Sequence, residues 1–329
     1  MNEILSVEDL TVEFRTEDGS YTAINNVSFS LGEQRTLAIV GESGSGKSVT
    51  ALAIMQLLAA NGRVTSGRIV LDGESLLELP PRDVQHRILG QKISMIFQEP
   101  MTALNPILKI GDQITEVLLE HQHVSRREAY ARAIEVLREV GIPSPESRID
   151  QYPHELSGGM RQRVMIAMGL VSEPMVMIAD EPTTALDVTI EAQILDLLEK
   201  LKSTFKTSIL FVTHDLNVVA DIADDVIVMY AGEIVERGCV IDVFERPQHP
   251  YTKGLLAAMP TLDGDTTGDL PTIRGVVPSI ANRPTGCRFH NRCEFAHDRC
   301  RVEAPAVHRV ENQDVRCHLY DPVVAKEQT

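Results

Sequence analysis

The sequence predicts an α/β fold built on a mostly parallel sheet, followed by a small C-terminal region of different character. Three short apolar runs have the length of buried strands, and segments with helical periodicity separate them. Strands that alternate with helices form parallel sheets, because each helix carries the chain back across the sheet. The chain has 329 residues, of which 43% are hydrophobic and 24% charged, which suffices for one large domain with an appendage or for two modest domains.

The N-terminal part predicts strands and a glycine-rich turn. Residues 4–14 and 23–31 alternate apolar and polar side chains, which is typical of antiparallel strands. Residues 36–40 are a short apolar run that ends at Gly41, and residues 48–58 have the pattern of a helix. A buried strand is therefore expected to lead through a glycine-rich turn into a helix.

The middle of the chain continues the alternation. Residues 112–140 carry helical spacing and form a block between two strand regions. The elements expected after this block are a helix at 158–171 that opens at Ser157-Gly158-Gly159, a strand at 175–179 that ends in Asp180-Glu181, a helix at 190–202, a strand at 208–212, and a hairpin of 226–230 and 233–236 across Ala231-Gly232.

After about residue 260 the composition changes. Residues 263–286 hold many Gly, Pro, Asp and Thr, which indicates a linker or an irregular domain. We therefore expect a main domain at 1–260 and a C-terminal extension at 261–329.

Charge and hydropathy exclude several classes of protein. The formal net charge of −16 argues against broad nucleic-acid binding, which needs a basic surface. No apolar run approaches the length of a membrane span, and the first residues lack the basic segment of a secretory signal. The chain is expected in the cytosol, so that any membrane role comes through a partner.

Residues 41–48, here called the phosphate loop, fit the pattern G-x-x-x-x-G-K-[ST]. Glycines let the backbone wrap an anion with its N–H groups pointing inward, and the following helix N-terminus favours negative charge. Lys47 is expected to reach the β- and γ-phosphates, and the Ser48 hydroxyl to bind Mg²⁺. The residues expected to bind ATP here are Gly41, Ser43, Gly44, Ser45, Gly46, Lys47 and Ser48.

The apolar run at 175–179 delivers two carboxylates to its C-terminal end, where α/β sheets place their sites. Asp180 is expected to hold Mg²⁺, directly or through water. Glu181 is expected to polarise the attacking water as the general base. Two solvated acids at a strand end are the alternative, and the phosphate loop upstream favours the functional interpretation.

The run Leu156-Ser157-Gly158-Gly159-Met160, with these two motifs around it, resembles the signature of ATP-binding cassette (ABC) ATPases over roughly residues 4–258. The resemblance implies a nucleotide-binding domain with a phosphate-loop core sheet, an antiparallel β subdomain and a helical subdomain at about 100–172. Met160 departs from the family, where many members have Gln. Three other family positions are Gln98 in the Q-loop, Asp187 in the D-loop Ala185-Leu186-Asp187, and the switch histidine His214. Phe14 lies where the family has an aromatic residue that stacks on adenine, and Tyr21 is the second candidate for this role.

The family's mechanism is what this resemblance implies for the single residues. Two cassettes sandwich two ATP molecules, and Ser157, Gly158 and Gly159 contact the γ-phosphate held by the opposite subunit. His214 holds the γ-phosphate and water in register. Gln98 contacts ATP and Mg²⁺ and transmits closure to the membrane partner.

Within the family, residues 97–106, 156–163, 249–256, 274–278 and 284–287 resemble dipeptide and oligopeptide importer ATPases of the D type. This resemblance implies a heterodimer with an F-type ATPase, two permease subunits and a periplasmic or extracellular solute-binding protein, with the chain peripheral on the cytoplasmic side of the inner membrane. Residues 98–119 are expected to dock a permease helix. An importer of nickel, opines, glutathione or another small solute is the alternative.

Three other classes fit less well. An exporter usually carries its own membrane helices, and a cassette protein of translation or DNA repair usually has two cassettes or long insertions. A non-hydrolysing regulator would be expected to lose Glu181 or His214, and both are kept.

Four of the five cysteines, Cys287, Cys293, Cys300 and Cys317, follow the spacing C-x₅-C-x₆-C-x₁₆-C. A reducing compartment disfavours disulfides, and zinc sites usually use closer pairs. Zinc and separately buried thiols remain alternatives. Peptide-importer ATPases share this pattern and an iron–sulfur cluster is associated with it, so the resemblance implies a [4Fe–4S] cluster; Cys239 lies apart in the sequence.

Overall fold

The structure, a computed structural model, describes residues 2–98, 103–184, 186–259 and 272–322. The described strands are β1 (Glu3–Thr16), β2 (Gly19–Gly32), β3 (Thr36–Val40), β4 (Gly62–Leu71), β5 (Glu74–Ser75), β6 (Ile93–Ile96), β7 (Val176–Asp180), β8 (Ser208–Thr213), β9 (Asp225–Tyr230), β10 (Glu233–Cys239), β11 (Val307–Val310) and β12 (Gln313–Arg316). The described α-helices are α1 (Lys47–Ile54), α2 (Pro81–Asp83), α3 (Ile110–His121), α4 (Arg126–Glu139), α5 (Pro145–Arg148), α6 (Gly158–Leu170), α7 (Val188–Phe205), α8 (Leu216–Ile222), α9 (Val240–Glu245), α10 (Pro250–Ala257) and α11 (Asp298–Val302).

The chain forms two compact units that alternate along the sequence. The first unit holds Met1–Ser6, Ser30–Thr36 and Ile69–Phe211, and the second holds Val7–Phe29, Leu37–Arg68 and Val212–Thr329. The boundary expected between residues 260 and 261 lies outside the described residues and stays a prediction. None of the helices in the described part of the chain has the length and apolar character needed to cross a bilayer.

In the first unit, strands β8, β7 and β6 are neighbours in that order. β6 and β7 run parallel, from Ile93 opposite Val176 to Ile96 opposite Ala179, and β7 is buried over its whole length. Parallel pairs with helices between them confirm the α/β prediction. The carboxyl ends of β6 and β7 therefore lie at the same edge of the sheet.

The block predicted as helical at 112–140 is two helices, α3 and α4. The chain is extended at Gln122, and α4 begins again after Ser125. Ser125 and Glu128 form a capping box: the Ser125 Oγ accepts the Glu128 N–H, and the Glu128 carboxylate accepts the Ser125 N–H. The pattern S-x-x-E was readable in the sequence as a helix start.

The second unit contains strands in the order β11, β12, β10, β9, β3. β3 and β9 are parallel, whereas β9, β10, β12 and β11 pair antiparallel. The predicted hairpin turns at Ala231 and Gly232, whose φ angles of 47° and 85° both lie in the left-handed region, as short hairpin loops require.

The C-terminal extension adds order that the sequence did not predict. Its hairpin of β11 and β12 joins the sheet, with Val315 opposite Glu236 of β10. Phe289 packs its ring against Tyr230 at 5.1 Å and Tyr251 at 5.4 Å between centroids. Offset and edge-on aromatic contacts of this kind stabilise beyond their buried area, so the extension shares the apolar core of the second unit.

Candidate functional site

The phosphate loop connects the fully buried strand β3 to helix α1, as predicted. Gly41 has a φ of 151°, and a Cβ there would lie 2.2 Å from the Met229 carbonyl oxygen. Gly46 has a φ of 105° and stands immediately before α1. Only glycine fits both the conformation and the space at Gly41, because any side chain would collide with the backbone of β9.

The Lys47 side chain is buried, and its ammonium group binds the backbone of the phosphate loop. Its Nζ donates to the Gly41 carbonyl at 2.7 Å and to the Glu42 carbonyl at 3.3 Å. Ser45 is also buried, and its carbonyl accepts the Gly232 N–H at 2.7 Å. Ser48 lies in the first turn of α1, next to Lys47. The loop is thus preformed around its ammonium group, which is the arrangement that a polyphosphate needs.

Two side chains of the second unit fix Glu42 in the phosphate loop. The Arg292 guanidinium donates to both Glu42 carboxylate oxygens, at 2.6 and 3.0 Å. The Glu42 N–H donates to the Tyr251 hydroxyl at 2.9 Å. Sequence reasoning missed both contacts because these partners are more than 200 residues away; Arg292 was visible only as the neighbour of Cys293.

Phe14 lines a cavity of about 280 Å³ that also includes Ser43, Gly44 and Gly46 of the phosphate loop. Tyr21, the second candidate for adenine stacking, is not among the described residues that line this cavity. The position of Phe14 fits a base whose phosphates enter the loop.

In the first unit, Asp180 ends β7 and is buried, and Glu181 follows with a φ of 47°. The Gln98 Nε2 donates to Glu181 Oε2 at 2.8 Å, and Thr184 Oγ1 donates to the same oxygen at 2.9 Å. Gln98 and Glu181 meet because they follow the parallel strands β6 and β7. Thr184 was missed by the sequence reasoning, although it lies only three residues after Glu181.

The signature run forms the start of helix α6. The Ser157 Oγ accepts the Met160 N–H at 3.4 Å, so Ser157 is the N-cap, and both Ser157 and Gly158 are exposed. A Cβ on Gly159 would lie 3.0 Å from Ile190 Cγ2. The N-terminal N–H groups of a 13-residue helix are therefore presented beside a glycine pair, which favours an anion.

Asp187 caps helix α7, with its Oδ1 accepting the Ile190 N–H at 3.0 Å. Ala185 of the same motif lies outside the described residues. His214 is exposed after β8, and the next residue, Asp215, caps α8 by accepting the Asn217 N–H at 2.8 Å. Both motif residues are thus placed at strand-to-helix junctions, where helix capping fixes the backbone.

The four extension cysteines lie near one another in the second unit. The Cys287 N–H donates to the Cys300 carbonyl at 2.9 Å. Burial, together with the charges of Cys317, Cys300 and Cys293, raises the pKa of Cys287 to about 12. Burial also raises the pKa of Cys317 to about 11 and that of Cys293 above its usual range.

Backbone N–H groups point at three of these sulfurs. Each comes from two residues further along: Phe289 for Cys287, Phe295 for Cys293 and Leu319 for Cys317. Within the described residues, no group of three or more His, Cys, Asp or Glu side chains is arranged to hold a metal ion. The sulfurs are neighbours, but they are not drawn together around a single point.

Comparison with known proteins adds two family matches. Residues 24–184 match the family described as ABC transporter, and residues 235–300 match the one described as oligopeptide/dipeptide transporter, C-terminal region.

Curated relatives are similar over most of their length. The oligopeptide transport ATP-binding protein OppD of Bacillus subtilis is 53% identical over 89% of this chain and 82% of its own. OppD of Escherichia coli is 51% identical over 92% of this chain and 89% of its own. AppD of Bacillus subtilis is 48% identical over 99% of this chain and 100% of its own.

Solved structures match the fold. The dimeric, post-hydrolysis cassette MJ0796 bound to ADP and Pi has a TM-score of 0.64 at 28% identity, covering 72% of this chain and 98% of its own. The protein cbiO1 from Clostridium perfringens, part of the transporter complex cbiONQ, has a TM-score of 0.65 at 28% identity. The match covers 75% of this chain and 92% of cbiO1.

Proposed function

This chain belongs to the ABC transporter family, among the ATP-binding proteins of oligopeptide and dipeptide transport, and we propose that it hydrolyses ATP to power peptide import through a multi-subunit transporter. The observation that carries the hydrolytic role is the hydrogen-bonded group of Gln98, Glu181 and Thr184 at the end of β7. Two donors on one oxygen hold the Glu181 carboxylate in a fixed direction, which a general base requires.

The phosphate loop binds the nucleotide in this proposal. Backbone N–H groups of residues 41–46 and the Lys47 ammonium neutralise the β- and γ-phosphates. Ser48, Asp180 and Gln98 would hold Mg²⁺, whose chemistry is to neutralise charge on the phosphate oxygens. A hydroxyl, a carboxylate and an amide oxygen are ligands that suit this hard cation.

In the proposed reaction water attacks the γ-phosphorus while the bond to the β–γ bridging oxygen breaks, so that ADP leaves and inorganic phosphate is released. Glu181 takes the water proton, and His214 holds the water and the γ-phosphate in register. Ser157, Gly158 and Gly159 of a second cassette complete the site, because the α6 N-terminus stabilises the charge that develops on the phosphate. The exposure of Ser157 and Gly158 supports this contact with a partner, and Asp187 lies at the same proposed interface.

The hydrolysis test compares the chain alone with the assembled transporter. A lone cassette lacks the partner's signature, so we expect slow turnover when the chain is dilute and monomeric, and a strong increase when the partner ATPase and permeases are added. Full-rate hydrolysis by a demonstrably monomeric chain would contradict the composite site. We propose that the partner is a related F-type ATPase rather than a second copy; co-purification of the tagged chain with each candidate partner tests this.

Peptides are the proposed solutes because residues 235–300 match the C-terminal region of oligopeptide and dipeptide transporters and the relatives are described as oligopeptide transport proteins. An importer of nickel, opines, glutathione or another small solute is the second candidate. Uptake into proteoliposomes that contain the whole transporter and its periplasmic or extracellular binding protein separates these possibilities. Peptide uptake that stops with a Lys47→Ala chain supports the proposal, whereas uptake of nickel or glutathione alone contradicts it.

We place the chain on the cytoplasmic side of the membrane, where it docks to a permease through residues 98–119. Exposed apolar side chains in this stretch support the proposal, since Ile107 is 77% exposed and Leu108 and Leu119 are each 37% exposed. Ile107→Cys should crosslink to permease cysteines in a nucleotide-dependent way. Ile241→Cys, 61% exposed on α9, is the matched control and should not crosslink. Equal crosslinking of both variants would remove the assignment.

We propose that the C-terminal extension, residues 261–329, holds a [4Fe–4S] cluster on Cys287, Cys293, Cys300 and Cys317. The residue types support the proposal, because thiolates are the ligands of such clusters and a backbone N–H hydrogen bond to three of the sulfurs suits them. In the described residues the four sulfurs are not yet gathered around one point, so cluster binding would have to draw them together. When bound, a cluster would supply redox chemistry at this end of the extension. Anaerobically purified protein should contain about four irons per chain; stoichiometric zinc without iron would contradict the cluster.

A further inference from the structure

The cavity beside the phosphate loop has a second wall that the nucleotide motifs do not supply. One side consists of Phe14, the loop glycines and Val49 of α1. The other side comes from residues 277–280 and Arg283 of the C-terminal extension. The volume of about 280 Å³ is close to the lower limit of roughly 300 Å³ that is common for small-molecule pockets.

Arg283 fixes this segment next to the cavity. Its guanidinium donates to the Thr22 carbonyl and, at 2.9 Å, to the Ala23 carbonyl, and Ala23 itself lines the cavity. Burial lowers the pKa of Arg283 to about 10, so the group stays charged at neutral pH and keeps both bonds. The chain also turns through a short 3₁₀ helix at Ile280–Asn282, so the wall has a defined backbone.

The extension reaches the phosphate loop at a second point, where Arg292 pairs with Glu42. Arg283 therefore holds the extension on β2, and Arg292 holds it on the phosphate loop. The extension residues that line the cavity are those next to Arg283. A wall fixed in this way does not have to become ordered when a ligand enters.

The wall has the chemistry of a base-binding surface. Val277, Pro278 and Ile280 are aliphatic and partly buried, and the Phe14 ring lines the same cavity. An adenine ring has two apolar faces and needs a flat contact on each, while its phosphates extend toward the glycines of the loop.

We propose that residues 277–283 form the second wall of the adenine site, so that the C-terminal extension contributes directly to ATP affinity. The inference rests on ATP binding at the phosphate loop and is independent of the iron–sulfur cluster. It makes Ile280 and Val277 nucleotide-binding residues, in addition to Phe14.

The test separates the base from the phosphates. Titration calorimetry with Mg-ATP and with Mg-tripolyphosphate, which has no base, is carried out on the full chain and on Ile280→Asp and Val277→Asp. Each variant puts a charge where the base packs, so ATP should bind about tenfold more weakly, whereas tripolyphosphate should bind within twofold of the unchanged chain. Val276→Asp is the control, because Val276 is 84% exposed and does not line the cavity.

A second experiment needs no variant. The unchanged chain is photolabelled with 8-azido-ATP, and label is expected in the tryptic peptide of residues 275–288 as well as in the segment around Phe14. Unchanged ATP affinity in both variants, an equal loss for ATP and tripolyphosphate, or no label in that peptide would overturn the proposal. Loss of the nucleotide site itself is recognised separately, because Lys47→Ala should weaken both ligands.

Discussion

The Arg292–Glu42 pair links the extension to the phosphate loop, and its removal should destabilise the chain measurably. The Arg292 side chain is 4% exposed and Glu42 is 32% exposed. The guanidinium makes two short hydrogen bonds to the carboxylate and lies 5.7 Å from the Tyr230 ring centroid and 6.0 Å from that of Phe289. Burial lowers the pKa of Arg292, and the hydrogen bonds and charge of Glu42 outweigh this, so the group stays charged.

The magnitude follows from these contacts. Hydrogen bonds between charged groups contribute about 1.5–3 kcal/mol, and a largely desolvated cation–π contact about 1–2 kcal/mol. Glu42 is partly exposed and can be rehydrated when its partner is lost, which reduces the cost relative to a fully buried pair. We therefore expect Arg292→Ala to lower the free energy of unfolding by about 3 kcal/mol, and the coupling energy of the Arg292→Ala/Glu42→Gln cycle to be about 2 kcal/mol.

Urea unfolding followed by circular dichroism measures these energies, since the chain has no Trp for fluorescence. Arg299→Ala is the matched control in the same extension. Its partners Glu303 and Asp321 are also close, but the Arg299 side chain is 31% exposed and Glu303 55%, against 4% for Arg292, so the loss of stability should be smaller. Arg292→Ala should also weaken ATP binding, because Glu42 belongs to the loop. A coupling energy near zero would show that the two side chains do not act together.

Three further predictions concern the site and the core beneath it. Glu181→Gln should keep ATP binding and lower turnover at least a hundredfold, because the amide cannot take a proton; wild-type turnover would disprove the assignment of the base. Lys47→Ala should weaken ATP binding at least tenfold in a calorimetric titration, since a charge-assisted phosphate contact is lost, and unchanged affinity would contradict the placement of the ammonium. Burial lowers the pKa of His249 from 6.5 to about 3, so between these pH values only the unfolded chain binds a proton there, and the free energy of unfolding falls as pH drops below about 6.5. His249→Asn keeps an acceptor for the Tyr251 N–H and should flatten this pH dependence of the unfolding free energy by about 1 kcal/mol per pH unit in urea unfolding. Identical slopes for the variant and the unchanged chain would refute the prediction.

Local features of the site could be predicted from the sequence because their causes lie within a few residues. The glycine spacing of the phosphate loop, the strand before it and the helix after it are all set by neighbouring side chains. The cap at Ser157 and the hairpin at Ala231-Gly232 follow equally short rules. Even the break between α3 and α4, missed in the prediction, was encoded locally in Ser125 and Glu128.

The sequence by itself determined the residue types that can bind phosphate, hold a proton or ligate iron, and the order of strands and helices that carry them. Only the tertiary structure decided which of these groups meet. Gln98 reaches Glu181 across 83 residues because two parallel strands end at one edge. Arg292 reaches Glu42 across 250 residues because aromatic packing joins the extension to the apolar core of the second unit, to which it belongs. Contacts of this kind depend on the summed packing of many apolar side chains rather than on spacing, so no short pattern in the sequence specifies them.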